Sequence, residues 1–127
     1  MAEKTPAEKL RFTPGMDVAL LGAPADTASL LGLPADVVTT ENPRAAGFVL
    51  VFVSTQAEAE AALRDLAVWL APTTLAWLAY PKGSKAAGHD MSRDTIWAFA
   101  RTIGLTAVAN VAIDSVWSAL RLRPLTA

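Results

Sequence analysis

Phe48-Val49-Leu50-Val51-Phe52-Val53 decides the fold class of this chain. The run is apolar throughout and built almost wholly of Val and Phe, which favour strands. It does not alternate with polar residues, so both faces of the strand must be covered, as in a parallel sheet between helices. The flanking sequence supplies those helices. Thr55 and Glu58 have capping-box spacing, and the helix they open runs to about Leu70. Its apolar stripe is Leu63, Leu66 and Leu70, with Glu60 and Arg64 paired at i,i+4 on the other side and Pro72 closing it. Leu75–Tyr80 (LAWLAY) reads as a further buried strand. A polar loop follows, Pro81 to Met91, and Ser92 or Asp90 caps the next helix. That helix places Ile96, Phe99, Ala100 and Ile103 on one stripe and ends with Gly104 at C′.

Upstream, Asp17–Gly22 (DVALLG) is expected to be a strand bounded by Gly15 and by Gly22-Ala23-Pro24. Asp26 caps a very short helix, Thr27–Leu31, stopped by Gly32 and Pro34, and Val37–Thr40 (VVTT) reads as a strand ended by Asn42-Pro43. Residues 1–12 are expected to form a flexible N-terminal tail, polar and interrupted by Pro6. Downstream, Thr106–Asp114 and Val116–Arg123 read as two strands joined at Asp114-Ser115. The last alternates Leu120, Arg121, Leu122 and Arg123, so one face is wet and the strand is expected at a sheet edge. The expected architecture is α/β. It is a single compact three-layer Rossmann-like domain over residues 13–127, with a mostly parallel mixed sheet of about six strands ending in an antiparallel hairpin.

Composition narrows the chemistry. In 127 residues, 53% are hydrophobic and 18% charged, which suits a packed core. The chain has no cysteine, which excludes disulfides, thiol nucleophiles and zinc–thiolate sites, and its single histidine, His89, excludes a multi-histidine metal site. No metal and no cofactor are expected. The net charge of −1 gives no strong nucleic-acid signal. No apolar run reaches the roughly 18 residues of a membrane span, and Met1–Lys9 lacks the apolar core of a signal peptide, so a cytoplasmic location is expected. Charge is uneven, with five Lys/Arg against nine Asp/Glu up to Leu70 and six against three beyond it. Lys82, Lys85 and Arg93 make the second part mildly basic, which suits an anionic partner.

Several residues are candidates for chemistry. The loop Tyr80-Pro81-Lys82-Gly83-Ser84-Lys85 follows a strand and precedes a helix, where open α/β sheets bind ligands. Lys82, Ser84 and Lys85, with Ser92 and Arg93 at the next helix start, form a candidate anion site. The segment is not a P-loop, because Gly-x-x-x-x-Gly-Lys-Ser/Thr is absent. His89 beside Asp90 is a candidate acid–base pair, although adjacent side chains rarely face each other. Asp114 sits at a strand end, where it faces the Lys82 loop or simply bonds local backbone N–H groups in a turn. Trp97 and Trp117 are candidates for a pocket or interface, whereas Trp69 and Trp77 read as core. Glu41, after Thr39-Thr40, stands where nucleotide-binding α/β folds place an acid on a ribose.

Ala79-Tyr80-Pro81-Lys82, the distal Asp114-x-x-Trp117-Ser118-Ala119-Leu120-Arg121, the intervening Ser92-Arg93-Asp94 and Gly104-Leu105, the early Val18–Pro24 (VALLGAP) and the run Phe48–Val53 (FVLVFV) together resemble an uncharacterised bacterial family catalogued as a domain of unknown function. The resemblance runs from about Leu10 to Arg123. It implies no activity that can be carried over. A second resemblance is architectural: the series of strand, helix, strand, helix and final hairpin is similar to the latter half of the class I methyltransferase fold. Methyltransferases of that type open on a strand leading into a Gly-x-Gly-x-Gly-like turn. Here that stretch is Leu20-Leu21-Gly22-Ala23-Pro24-Ala25, with one glycine and a proline that has no N–H to offer.

Three functions follow from these readings. The first is a non-catalytic interaction or regulatory domain, with self-association or a protein partner at the edge of the C-terminal hairpin. The second is a binding module for an anionic metabolite or nucleotide at the Lys82–Arg93 loop. The third is a degenerate methyltransferase-like enzyme, to which no residues are assigned, or an otherwise unrecognised enzyme built around Lys82, His89 and Asp114.

Overall fold

The apolar run at 48–53 lies in the middle of a sheet, with parallel neighbours on both sides. A computed structural model describes residues 5–13, 15–23, 27–33, 37–71, 73–82 and 91–125. The elements are α1 (Pro6–Lys9), β1 (Val18–Leu21), α2 (Thr27–Leu31), β2 (Phe48–Phe52), α3 (Gln56–Trp69), β3 (Leu75–Pro81), α4 (Arg93–Thr102), β4 (Leu105–Ala112) and β5 (Trp117–Pro124). The sheet runs β1-β2-β3-β5-β4. β1, β2 and β3 are parallel, with Val18 opposite Phe48 and Phe48 opposite Leu75. β5 is antiparallel to both β3 and β4.

A sixth strand is reduced to one bridge. Val37–Thr40 touches β1 only through Thr39 opposite Val18, with Val18 N–H donating to Val38 O at 2.9 Å and Thr40 N–H to Val18 O at 2.8 Å. Val38 is exposed, so burial does not extend this strand. Thr40 Oγ1 instead accepts from Asn42 N, and Asn42 Oδ1 from Arg44 N, which starts a short 3-10 turn at Pro43–Ala45. Counting the bridge, the strands in chain order lie 2-1-3-4-6-5, the doubly wound pattern in which the order reverses between β1 and β2.

The two faces of the sheet carry separate cores. Val49, Val51, Ala76, Leu78, Leu120 and Leu122 pack against Leu63 and Leu66 of α3 and Ile96 and Ala100 of α4. Phe48, Leu50, Phe52, Trp77 and Ala79 pack against Ala7, Leu10, Phe12 and Leu31 from α1 and α2. All five β2 residues are buried, which is why its sequence does not alternate. α3 and α4 are locked together by the Arg64 guanidinium, 5.0 Å from the Phe99 ring centroid, and by Thr95 Oγ1 donating to Gln56 Oε1 at 2.8 Å.

Two sequence expectations change. The stretch expected to be a tail is packed from Thr5 onward. Pro6 occupies the first turn of α1, where its missing N–H is harmless, and Thr5 and Glu8 form a capping box. So short a helix would not survive alone. Burying Leu10 and Phe12, at about 1.5–3 kcal/mol each, holds it to the sheet. The second change concerns β5, which is interior rather than at the edge; the outermost strand is β4. The alternating arginines of β5 lie on the sheet face away from α3 and α4. Among the described residues, no helix is long and apolar enough to cross a membrane.

Candidate functional site

The carboxyl ends of β1, β2 and β3 share one rim of the sheet, and the β4–β5 turn reaches the same rim. Lys82 N–H donates to Val116 O at 2.7 Å, which fixes that turn beside the end of β3. The candidate anion loop therefore leaves from this rim, and α4 returns to it. Lys82 is exposed. Ser92 is the N-cap of α4: its Oγ accepts from Thr95 N, and Thr95 Oγ1 accepts from Ser92 N at 2.8 Å. Arg93, the first residue of α4, is exposed, with Asp94 Oδ1 at 3.5 Å. Ser84, Lys85, His89 and Asp90 lie outside the described residues.

Arg93 and Trp97 overhang a groove of about 330 Å³ between α4 and β4. Its floor is Ala107, Val108, Ala109, Asn110 and Leu120. The β4–β5 register slips between Ala107 and Ala109, and such a bulge re-aims side chains along a strand. Val108, within the bulge, is 45% exposed and Trp97 39% exposed. One cation and one aromatic plane thus stand over small apolar residues. The volume is at the low end of small-molecule pockets.

Asn110 in the floor of this groove is bonded to Tyr80. The Tyr80 hydroxyl donates to Asn110 Oδ1 at 3.0 Å. Burial pushes the Tyr80 phenol above its usual value, while the hydrogen bond to Asn110 and the positive charge of Arg93 pull it partly back. Neither residue stood out in the sequence as a binding residue, Tyr80 being read as the end of an apolar strand. Asn110 did leave a signal, as the one amide within the otherwise apolar stretch Ala107–Ile113.

The other candidates lie apart from the groove. Asp114 Oδ1 accepts from Val116 N at 2.8 Å and Trp117 N at 2.7 Å, so its carboxylate shapes the hairpin turn. Trp117 packs edge-on against Phe52, with ring centroids 5.0 Å apart, in the core of the opposite face from Trp97. Trp77 is core, and its Nε1–H donates to Leu10 O at 3.0 Å.

The crevice between the ends of β1 and β2 is the topological switch point, where doubly wound folds bind nucleotides. Glu41 follows the Thr39 bridge on its outer side and is exposed. Gly22 closes β1 at φ +63°, and a Cβ there would sit 2.9 Å from Phe52 O. This close approach needs glycine. It also draws the end of β1 against β2 where a ligand would enter. Among the described residues, no group of three or more His, Asp or Glu is placed to hold a metal ion.

No family model matches the chain, and no curated protein matches it. Solved structures do. The O-methyltransferase NcsB1 of neocarzinostatin biosynthesis, solved with S-adenosylmethionine, superposes with a TM-score of 0.56 at 18% identity, over 86% of this chain and 41% of its own. A structure described as a pericyclic reaction enzyme gives 0.54 at 13% identity, over 93% and 38%. The ribosomal protein L11 methylase of Lactobacillus delbrueckii subsp. bulgaricus gives 0.54 at 9% identity, over 94% and 74%. The chain spans about two-fifths of the first two. The residues at the switch point do not fit an S-adenosylmethionine site of the usual kind. There is one glycine drawn against β2, a proline two residues on, and an α2 of only five residues to supply a dipole. The chain has a Rossmann-like fold similar to that of these methyltransferases.

Proposed function

We propose that this chain is a non-catalytic regulatory domain on a methyltransferase-like fold, and that it binds a small anionic ligand at the α4–β4 groove. The observation that carries this reading is the groove itself, with Arg93 and Trp97 above and Asn110 below. A guanidinium recognises an oxyanion, and the indole face beside it takes a planar apolar group, as in a nucleotide or an aromatic acid. Lys82 lies on the same rim and adds to the positive field. Fold likeness cannot choose the chemistry, since the similar structures include methyltransferases and a pericyclic reaction enzyme.

The test is a thermal-shift series with phosphate, nucleotides, dinucleotides and S-adenosylmethionine. A ligand of the native state stabilises it by about 2.7 kcal/mol at a hundred times its Kd, a Tm shift of several degrees for a domain of this size. The shift should shrink in Arg93→Ala and in Trp97→Ala. A shift untouched by both variants would move the site elsewhere.

A second reading, methyl transfer, is supported by the fold likeness to methyltransferases and by Glu41 beside the switch point, and it has the altered turn against it. Calorimetry with S-adenosylmethionine decides it. Binding lost in Glu41→Ala would support the enzyme reading, and no binding would remove it. A protein partner or a second copy at the open edge of β4 is a further element of the regulatory reading. Light scattering across a concentration series tests self-association.

A further inference from the structure

The opposite face of the sheet carries three arginines that the groove does not use. Arg121 and Arg123 are two residues apart on β5, so both point to the same face. Arg121 stands between Trp77 of β3 and Ala109 of β4, and Arg123 stands opposite Thr106. Trp77 belongs to the core beneath α1 and α2, so this is the face away from α3 and α4. It is also the half of the sheet farther from the carboxyl-end rim, since Arg123 pairs at the start of β4.

Arg11 joins them from the N-terminal segment. It follows the C-cap of α1 and adopts φ +67°, a backbone conformation that residues other than glycine rarely take. The Trp77 bond to Leu10 O anchors the neighbouring residue at the same place on the sheet. Burial holds the Arg121 guanidinium below its ordinary value, and the positive charges of Arg11 and Arg123 lower it further.

Nothing in the described protein balances this cluster. The ion pairs among the described residues are Arg64 with Glu60 and Arg93 with Asp94. The Nε atoms of Arg121 and Arg123 are both buried and have no hydrogen-bond partner. Buried donors are normally paired, and like charges drawn together raise the energy of the folded state.

We propose that Arg11, Arg121 and Arg123 form a binding site for a phosphate group, separate from the α4–β4 groove. A doubly charged oxyanion cancels the repulsion among the three guanidinium groups. It also offers enough acceptor oxygens for several N–H donors at once, including the two Nε groups once the side chains swing onto it. Thr106, opposite Arg123, adds a hydroxyl on the same face. The phosphate is either free or carried on a nucleoside.

Calorimetry with inorganic phosphate and with AMP, at constant ionic strength set by chloride, tests this on the full chain. A phosphate site should persist in Arg93→Ala, which removes the cation of the α4–β4 groove and leaves only the arginine cluster to be read. Binding should weaken roughly tenfold or more in Arg121→Gln/Arg123→Gln, from the loss of charge-assisted hydrogen bonds. Arg11→Gln, an exposed change, should weaken it as well and guards against a folding defect in the double variant. Tighter binding of AMP than of phosphate would assign a nucleotide source, and equal affinity free phosphate. Binding retained in the double glutamine variant, binding abolished by Arg93→Ala, or no binding to the parent would each overturn the proposal.

Discussion

The Tyr80 hydroxyl reaches across β5 to Asn110 Oδ1, so the two strands that flank the antiparallel strand are tied over its face at 3.0 Å. Tyr80 is opposite Ser118, and Asn110 is opposite Leu120, so the bond runs diagonally over the sheet. It sets the floor of the groove that Arg93 and Trp97 overhang. Tyr80→Phe is expected to cost about 1 kcal/mol, because the more exposed Asn110 regains water when its partner is lost. Urea titrations of the two proteins measure it.

The same residue gives a pH dependence. Its folded pKa is raised, mainly by burial, above the unfolded value of 10.0. The folded state therefore holds the proton over a range in which the unfolded state releases it. The contribution to stability is complete below pH 10 and is lost as pH rises through the folded value. Stability measured from pH 8 to pH 11 should fall at the alkaline end in the parent protein, and Tyr80→Phe should fall less.

Two glycines with positive φ should respond differently to alanine. Gly104, at φ +86°, has open space where a Cβ would go, so Gly104→Ala should cost only backbone strain, about 1–2 kcal/mol. Gly22, at φ +63°, would place its Cβ 2.9 Å from the backbone of Phe52. Gly22→Ala should therefore cost more, because β1 must separate from β2. Thermal melts of the pair rank them, and equal losses would contradict the close approach.

Asp114 separates a turn residue from a reactive one. Both backbone bonds end on Oδ1, and an asparagine keeps that oxygen. Asp114→Asn should be close to the parent in stability, and Asp114→Ala should lose about 1–3 kcal/mol as two N–H groups lose their acceptor. Ligand binding that fails in Asp114→Asn without loss of stability would give the carboxylate a functional role instead.

Trp77 pins the N-terminal segment. Its Nε1–H is buried against Leu10 O, across 67 residues of sequence. Trp77→Phe should cost about 1–3 kcal/mol for the unpaired carbonyl and lost packing. Limited proteolysis should then cut first near Thr5–Thr13, a region whose Ala7, Leu10 and Phe12 are packed in the parent protein.

By itself, the sequence determined the fold class and the elements from β2 to β5. The uninterrupted Phe48–Val53 run specified a doubly covered strand. The Thr55 and Ser92 caps and the Leu63, Leu66, Ile96 and Ala100 stripes specified the helices over one face. These features depend on short-range chemistry, namely period, caps and turn residues. Tertiary structure alone decided three things. It packed residues 5–12, because Leu10 and Phe12 find their apolar partners in strands far along the chain. It put β5 inside β4, because strand order is a long-range choice that the alternating arginines do not encode. It also joined Arg93, Trp97 and Asn110 into one groove and set Arg121 and Arg123 on the face where Trp77 holds Leu10. Such groupings follow from register and crossover, which bring together residues that no local spacing relates.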